Sequence, residues 1–157
     1  MMMRRKLTMA SLLLVAFAGG CATSEGMTPA DLRATLTGLQ EVPGPGDPDG
    51  SGTAVVRVNP AGGEICWTVA VRDIGPATAA HIHRGAAGSA GPPVVTLTTP
   101  GADGRSEACA AIDQALARDM AGRSFEYYVN VHTAALPTGA IRGQLRGEVR
   151  RLRQRSY

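Results

Sequence analysis

The sequence predicts an all-β domain, a Greek-key-like antiparallel β-sandwich of about seven to eight strands with one short helix. Three observations support this fold class. Short apolar runs recur about every ten to fifteen residues, separated by Gly, Pro, Asn and Asp. Several runs alternate apolar and polar side chains with the period of two typical of half-buried strands. Roughly 120 residues remain once both chain ends are set aside, which suffices for one domain with one core.

We expect strands near residues 32–41, 53–59, 64–73, 77–84, 93–98, 124–133 and 139–147. The run 64–73 alternates most clearly, and it places Trp67 among the residues that face the core and Cys66 on the opposite face. The last run, 139–147, alternates in the same way and places Arg142 and Gln144 outward.

One segment between the strands has a helical pattern. Asp113 precedes a run rich in Ala and Leu, and Gly122 follows it. Aspartate is a preferred helix N-cap and glycine a common C-terminal stop, so we predict a short helix over 112–121.

The three histidines of the chain share one predicted face of the domain. His81 and His83 are two positions apart on a strand, so both point away from the core while Ile82 points into it. In the strand 124–133 the same alternation places Glu126, Asn130 and His132 outward. Imidazole is a ligand suited to zinc and copper, so we predict that His81, His83 and His132 form a zinc or copper site. The alternative is that each histidine hydrogen-bonds a neighbouring group and fixes a loop.

The chain begins with an export signal. Arg4, Arg5 and Lys6 form a positive region, and the following residues, 7–18, are mostly apolar. The sequence Ala18-Gly19-Gly20-Cys21 resembles the lipobox of bacterial lipoproteins, in which the cysteine is acylated. We therefore expect residues 1–21 to be a lipoprotein-type signal peptide and Cys21 to be the lipidated residue, with residues 22–31 as a tether. Ordinary cleavage after Ala18, which would release a secreted protein, is the alternative.

The remaining cysteines form one expected pair. Cys21 is accounted for by lipidation, which leaves Cys66 and Cys109 in a protein exported to an oxidising compartment. A disulfide between them would close a loop of 43 residues and contribute roughly 3 to 4 kcal/mol in the chain-entropy model. Two buried free thiols are the alternative.

The charge of the mature chain is balanced, with 13 basic and 13 acidic residues once the signal is removed. This balance gives no reason to expect nucleic-acid binding. The last twelve residues contain five arginines and a single glutamate. We expect 148–157 to form a solvated tail, with contact to anionic lipid headgroups as the alternative.

Four motifs together resemble the CHRD domain, which is named after chordin, an extracellular antagonist of bone morphogenetic proteins, and also occurs in microbial secreted proteins. The motifs are Leu36-Thr-Gly-Leu-Gln-Glu-Val-Pro43, Thr78-Ala-Ala-His-Ile-His-Arg-Gly85, Tyr127-Tyr-Val-Asn-Val-His-Thr133 and Gly139-Ala-Ile-Arg-Gly-Gln-Leu145. The resemblance covers residues 32–147 and implies a β-sandwich and export. It places emphasis on the residues His81, His83, Asn130, His132, Arg142 and Gln144.

We expect the protein to be an extracytoplasmic, lipid-anchored binding module with a single domain. Its partners would be the membrane, through the anchor, and a protein or small ligand. A zinc- or copper-dependent enzyme is the first alternative, although Glu126 is the one candidate general base on the predicted face and we do not favour catalysis. A structural envelope protein without metal is the second.

Overall fold

The computed structural model describes residues 28–147 of the chain. The predicted signal peptide (1–21) with Cys21, most of the tether (22–31) and the basic tail (148–157) lie outside the described residues. The domain predicted over 32–147 falls within them.

The described chain forms nine strands, one α-helix and two short 3-10 turns. The strands are β1 (Ala30–Thr37), β2 (Ser51–Asn59), β3 (Glu64–Arg72), β4 (Ala77–Arg84), β5 (Pro93–Leu97), β6 (Arg105–Ala111), β7 (Tyr127–Thr133), β8 (Ile141–Gln144) and β9 (Arg146–Gly147). The helix α1 spans Gln114–Gly122, and the 3-10 turns span Gly38–Gln40 and Ser124–Glu126.

The strands form one antiparallel sheet in the order β5-β4-β7-β8-β1-β2-β3-β6, with β9 paired to β1. The predicted all-β fold is confirmed. The sheet is continuous and nearly barrel-like, and its inner face encloses the core. The strand 77–84 was predicted with the observed bounds, whereas the strand predicted over 124–133 begins at Tyr127, after a 3-10 turn.

The core consists of the inward residues of alternating strands. In β3, Ile65 and Val69 are fully buried and Trp67 is 4 % exposed, as the alternation predicted. From β4 and β7, the residues Ile82, Val129 and Val131 point to the same core and are fully buried. Burial of these strands on one face fixes their register, because a slip of one residue would turn every core side chain outward.

The helix α1 covers one part of the core, and its start was predicted correctly. The Asp113 carboxylate accepts hydrogen bonds from the backbone N–H groups of Ala115 and Leu116, which is the expected N-cap arrangement. Ala117 and Met120 are fully buried against the sheet. No helix in residues 28–147 is long and apolar enough to cross a membrane.

The strand β6 is an element that the sequence did not predict, and it carries one end of the disulfide. Cys66 of β3 and Cys109 of β6 are direct cross-strand partners, and a disulfide joins them. Cys109 is exposed and Cys66 half-buried, so the disulfide lies on the outer face of the sheet, as expected for Cys66. Because β6 is the end strand of the sheet order, the disulfide attaches this strand covalently to β3.

We predict that the double variant Cys66→Ala/Cys109→Ala unfolds with a free energy about 2 to 4 kcal/mol lower than the native protein, because the denatured chain regains the entropy of an open 43-residue loop. Guanidinium unfolding without reductant measures this difference. Reductant should lower the midpoint of the native protein and leave that of the double variant unchanged. Equal midpoints for the two oxidised proteins would contradict the prediction.

Candidate metal centre

The pairing of β4 with β7 brings the three histidines to one face of the sheet. In this antiparallel pair, His81 is opposite Asn130, His83 is opposite Tyr128, and Ala79 is opposite His132. The alternation of the strands sends Ala80 and Ile82 into the core and the histidines to the other face. His132 therefore lies diagonally across from His81, within reach of a side chain of this length.

The three imidazole rings converge. Their ligand atoms all lie within 4.8 Å of one another, and His81 Nδ1 is 3.3 Å from His132 Nε2. The ring centroid of His81 is 5.6 Å from that of His83 and 5.2 Å from that of His132. Nitrogens that bind one zinc ion at about 2.0 to 2.1 Å are about 3.3 to 3.4 Å apart along a tetrahedral edge. The closest pair has this spacing, which is also a hydrogen-bond distance, while the 4.8 Å that encloses all three ligand atoms is wider.

Two of the histidines are oriented by backbone carbonyl groups. His83 Nδ1 donates to the carbonyl oxygen of Gly91 at 2.8 Å, and His132 Nδ1 donates to that of Pro137 at 3.1 Å. Because a carbonyl oxygen can only accept, the proton of each ring is on Nδ1 and the lone pair is on Nε2. Carbonyl groups orient metal-binding histidines in this way in many proteins.

His83 Nε2 has no hydrogen-bond partner among the described residues, although it is buried. His83 is 9 % exposed and His132 is 8 % exposed. Buried side-chain nitrogens normally have a partner, so an unpaired one requires an explanation. A metal ion would supply the missing partner.

Burial favours the neutral form of the three histidines. Burial lowers the pKa of His81, His83 and His132 below the usual value of 6.5. The neighbouring histidines act in the same direction on His83 and His132, since a proton on one ring disfavours a proton on the next. Neutral imidazole is the form that binds metal.

Tyr128 supports His83 from the neighbouring strand. Its ring stacks on the His83 ring at a centroid distance of 4.9 Å and an angle of 12°. The Tyr128 hydroxyl accepts a hydrogen bond from the backbone N–H of Gly91, the residue whose carbonyl holds His83. Gly91 cannot carry a side chain, because a Cβ there would lie 1.6 Å from the carbonyl oxygen of Arg84.

Arg142 and Gln144, which the sequence placed with the histidines, hold a loop over this face. Arg142 Nη2 donates to the carbonyl of Ser89 at 2.7 Å, and the guanidinium lies 3.6 Å from the Tyr128 ring centroid. Gln144 Nε2 approaches the carbonyl oxygens of Gly85 and Tyr127 at 2.9 and 2.7 Å. These contacts attach the loop 85–92 to the sheet, and this cover explains why the outward Arg142 is 2 % exposed.

A buried carboxyl group that sequence reasoning missed lies next to Asn130. Asn130 Nδ2 donates to Glu41 Oε2 at 3.4 Å, and Glu41 is 6 % exposed. Burial raises the pKa of Glu41 to about 7, while Arg142 and the Asn130 hydrogen bond act in the opposite direction. Glu41 belongs to the first of the four motifs, but its contact spans 89 positions of sequence and could not be seen there.

Glu126 does not occupy the position that was expected. It lies in the 3-10 turn Ser124–Glu126, so the strand alternation that grouped it with the histidines does not reach it. Its backbone carbonyl accepts a hydrogen bond from the Gly85 N–H and helps to fix the start of the loop 85–92. In the described part of the chain, the metal-ligand cluster contains the three histidines and no carboxylate.

A comparison with protein-family models gives a match to the CHRD domain over residues 32–145. The chain belongs to the CHRD family. No curated protein and no solved structure matches it in the corresponding searches. The match confirms the expected CHRD domain, and its range includes all three histidines, both cysteines of the disulfide and Glu41. CHRD domains are extracellular, and the disulfide fits an exported protein.

We predict that Glu41→Gln stabilises the CHRD domain above pH 7. The folded-state pKa of Glu41 is raised from 4.5 to about 7, so its contribution to stability is fully present below pH 4.5 and is lost as the pH rises through 7. The variant should therefore be more stable at pH 8 by up to about 3 kcal/mol, and the difference should shrink towards pH 4.5. Urea unfolding of both proteins at pH 4.5, 6 and 8 measures this. A constant difference over that range would contradict the prediction.

Proposed function

We propose that the protein is an extracytoplasmic metal-binding module, in which His81, His83 and His132 bind one zinc or copper ion. The observation that carries this proposal is the buried Nε2 of His83, which has no hydrogen-bond partner in residues 28–147 and whose ring is oriented by Gly91. His132 Nε2 is 3.3 Å from His81 Nδ1, and the hydrogen bond between these two nitrogens would give way to a shared metal ion. Three neutral nitrogens on a rigid sheet form a site that needs little rearrangement to close on a metal.

Arg142 is the main objection to a metal on this face, because a nearby positive charge repels a cation. Its contacts reduce the objection. Arg142 Nη2 donates to the carbonyl groups of Ala86 and Ser89, so this nitrogen points at the loop, and the guanidinium covers the Tyr128 ring. The Tyr128 ring separates it from His83.

Binding is favoured over catalysis. A hydrolytic metal site with three histidines also requires a general base close to the metal-bound water. In residues 28–147 no carboxylate joins the histidine cluster, and Glu41 contacts Asn130 instead. A metal-dependent enzyme is therefore the second candidate, and it is supported by one observation: His81 is the least buried of the three ligands, which leaves a coordination position towards solvent.

We place the module at the cell envelope through acylation of Cys21. Residues 1–21 have the pattern of a lipoprotein signal peptide, and the disulfide agrees with an oxidising compartment. The anchor would hold the metal site close to the membrane surface, with residues 22–27 and the first described residues as the tether.

If the three histidines bind the metal, single histidine variants should lose metal affinity. We expect the exported, purified protein to bind one equivalent of zinc or copper, and His83→Ala and His132→Ala each to weaken the affinity by at least about 100-fold, since a three-ligand site loses a ligand. Competition titration with a chromophoric chelator measures the affinities.

Thr78→Ala is the matched control, because Thr78 is exposed on the same strand β4. It should bind metal as the native protein does. Equal weak binding by the native protein and both histidine variants would leave the histidines as hydrogen-bonding residues and the protein as a binding module without metal.

The anchor makes a separate prediction. The mature protein should partition into detergent, and Cys21→Ser should release it or block its processing, since lipoproteins are retained by several acyl chains on the cysteine. Phase partition and N-terminal mass analysis measure both properties. Soluble mature protein that begins at Gly19 would show that ordinary signal peptidase cleaves the chain.

A further inference from the structure

The candidate metal site has no negative charge among its ligands. All three are imidazoles, which bind metal in their neutral form. A divalent ion bound there would keep its full charge of two, whereas a monovalent ion would keep a charge of one. His83 and His132 are 9 % and 8 % exposed, so little water is available to screen that charge.

A fixed cation lies beside this site. The Tyr128 ring centroid is 3.6 Å from Arg142 Cζ and 4.9 Å from the His83 ring centroid, so a single aromatic ring separates the guanidinium from a metal ligand. In the described residues, no carboxylate oxygen lies within 4.0 Å of the guanidinium. Arg142 Nη1 is buried without a hydrogen-bond partner there.

One carboxyl group opposes this cation without cancelling it. Glu41 interacts electrostatically with Arg142, but burial holds its pKa at about 7, so the carboxyl group is partly protonated near neutral pH. The pair Arg142 and Glu41 therefore leaves a net positive potential at the histidines. Arg142 raises this potential, and the Glu41 carboxylate lowers it.

We propose that the site selects monovalent copper, Cu⁺, over divalent Zn²⁺ and Cu²⁺, and that Arg142 is a residue that determines this selectivity. The proposal rests on the proposed function of the histidines. Repulsion from a fixed cation grows in proportion to the charge of the bound ion, so its effect on the affinity of a divalent ion is the square of its effect on a monovalent ion. At a separation of roughly 8 Å and an effective dielectric constant of about 20, we estimate about 30-fold for Cu⁺ and about 1000-fold for Zn²⁺. Copper in either state accepts imidazole nitrogen.

The test uses the exported, purified protein and measures three quantities: Cu⁺ affinity by anaerobic competition with bicinchoninate, Zn²⁺ affinity by competition with a chromophoric chelator, and the reduction potential of bound copper. We expect the potential to lie above that of free aqueous copper in the same buffer. Arg142→Gln should raise Zn²⁺ affinity about 1000-fold and Cu⁺ affinity about 30-fold, and it should lower the potential. Arg142→Lys, which keeps the charge, is the control and should keep the native preference.

Glu41→Gln provides the opposite change with a side chain of nearly the same shape. It removes the opposing carboxylate, so Zn²⁺ affinity should fall by more than Cu⁺ affinity. This variant and the potential of the native protein decide the question even if Arg142→Gln does not fold.

The possible outcomes distinguish the two proposals. A potential at or below that of free copper, or variants that change Cu⁺ and Zn²⁺ affinity by the same factor, would overturn the selectivity while the metal site stands. Absence of binding by every ion would overturn the metal site and the selectivity together.

Discussion

The antiparallel register between β4 and β7 is the constraint on which the candidate site depends. It sets His83 opposite Tyr128 and His81 opposite Asn130, and it leaves His132 diagonal to His81. The same register buries Ile82 and Val129 in the core. Core packing therefore fixes the positions of the histidines, because a slip that separated them would also expose these apolar residues.

The loop 85–92 covers the polar face that carries the histidines. Its carbonyl groups accept hydrogen bonds from His83, Arg142 and Gln144, so the side chains that the loop covers are also those that hold it. Gly91 makes two of these hydrogen-bond contacts: its carbonyl accepts from His83, and its N–H donates to the Tyr128 hydroxyl. The polar residues of the family motifs thus divide into histidines that could bind a metal and neighbours that position them.

Strand alternation predicted much of this site from sequence. It identified the face of His81, His83 and His132, and the burial of Trp67, because a half-buried strand imposes a period of two on local sequence. It missed β6, whose inward residues Ser106, Ala108 and Ala110 are too small and weakly apolar to mark a core face. It misplaced Glu126, since the 3-10 turn before β7 changes the periodicity without a clear sequence signal.

What no local pattern could show is the cover over the outward face. Strand alternation placed Arg142 and Asn130 outward, yet they are 2 % and 4 % exposed, because the loop 85–92 and the segment around Glu41 pack on them. Those contacts join residues 53 and 89 positions apart and depend on the pairing of β8 with β7 and β1, which are distant in sequence.

The cover has an electrostatic consequence for any metal at the site. Arg142 is needed on this face because it holds the loop carbonyl groups, and the loop in turn orients His83 through Gly91. The residue that helps to build the ligand geometry is therefore also a positive charge one aromatic ring away from the ligands. With neutral ligands, no ligand charge offsets the repulsion between Arg142 and a bound cation. This repulsion weakens the binding of a divalent ion more than that of a monovalent ion. Under the proposed function, the same side chain would set both the ligand geometry and the metal preference.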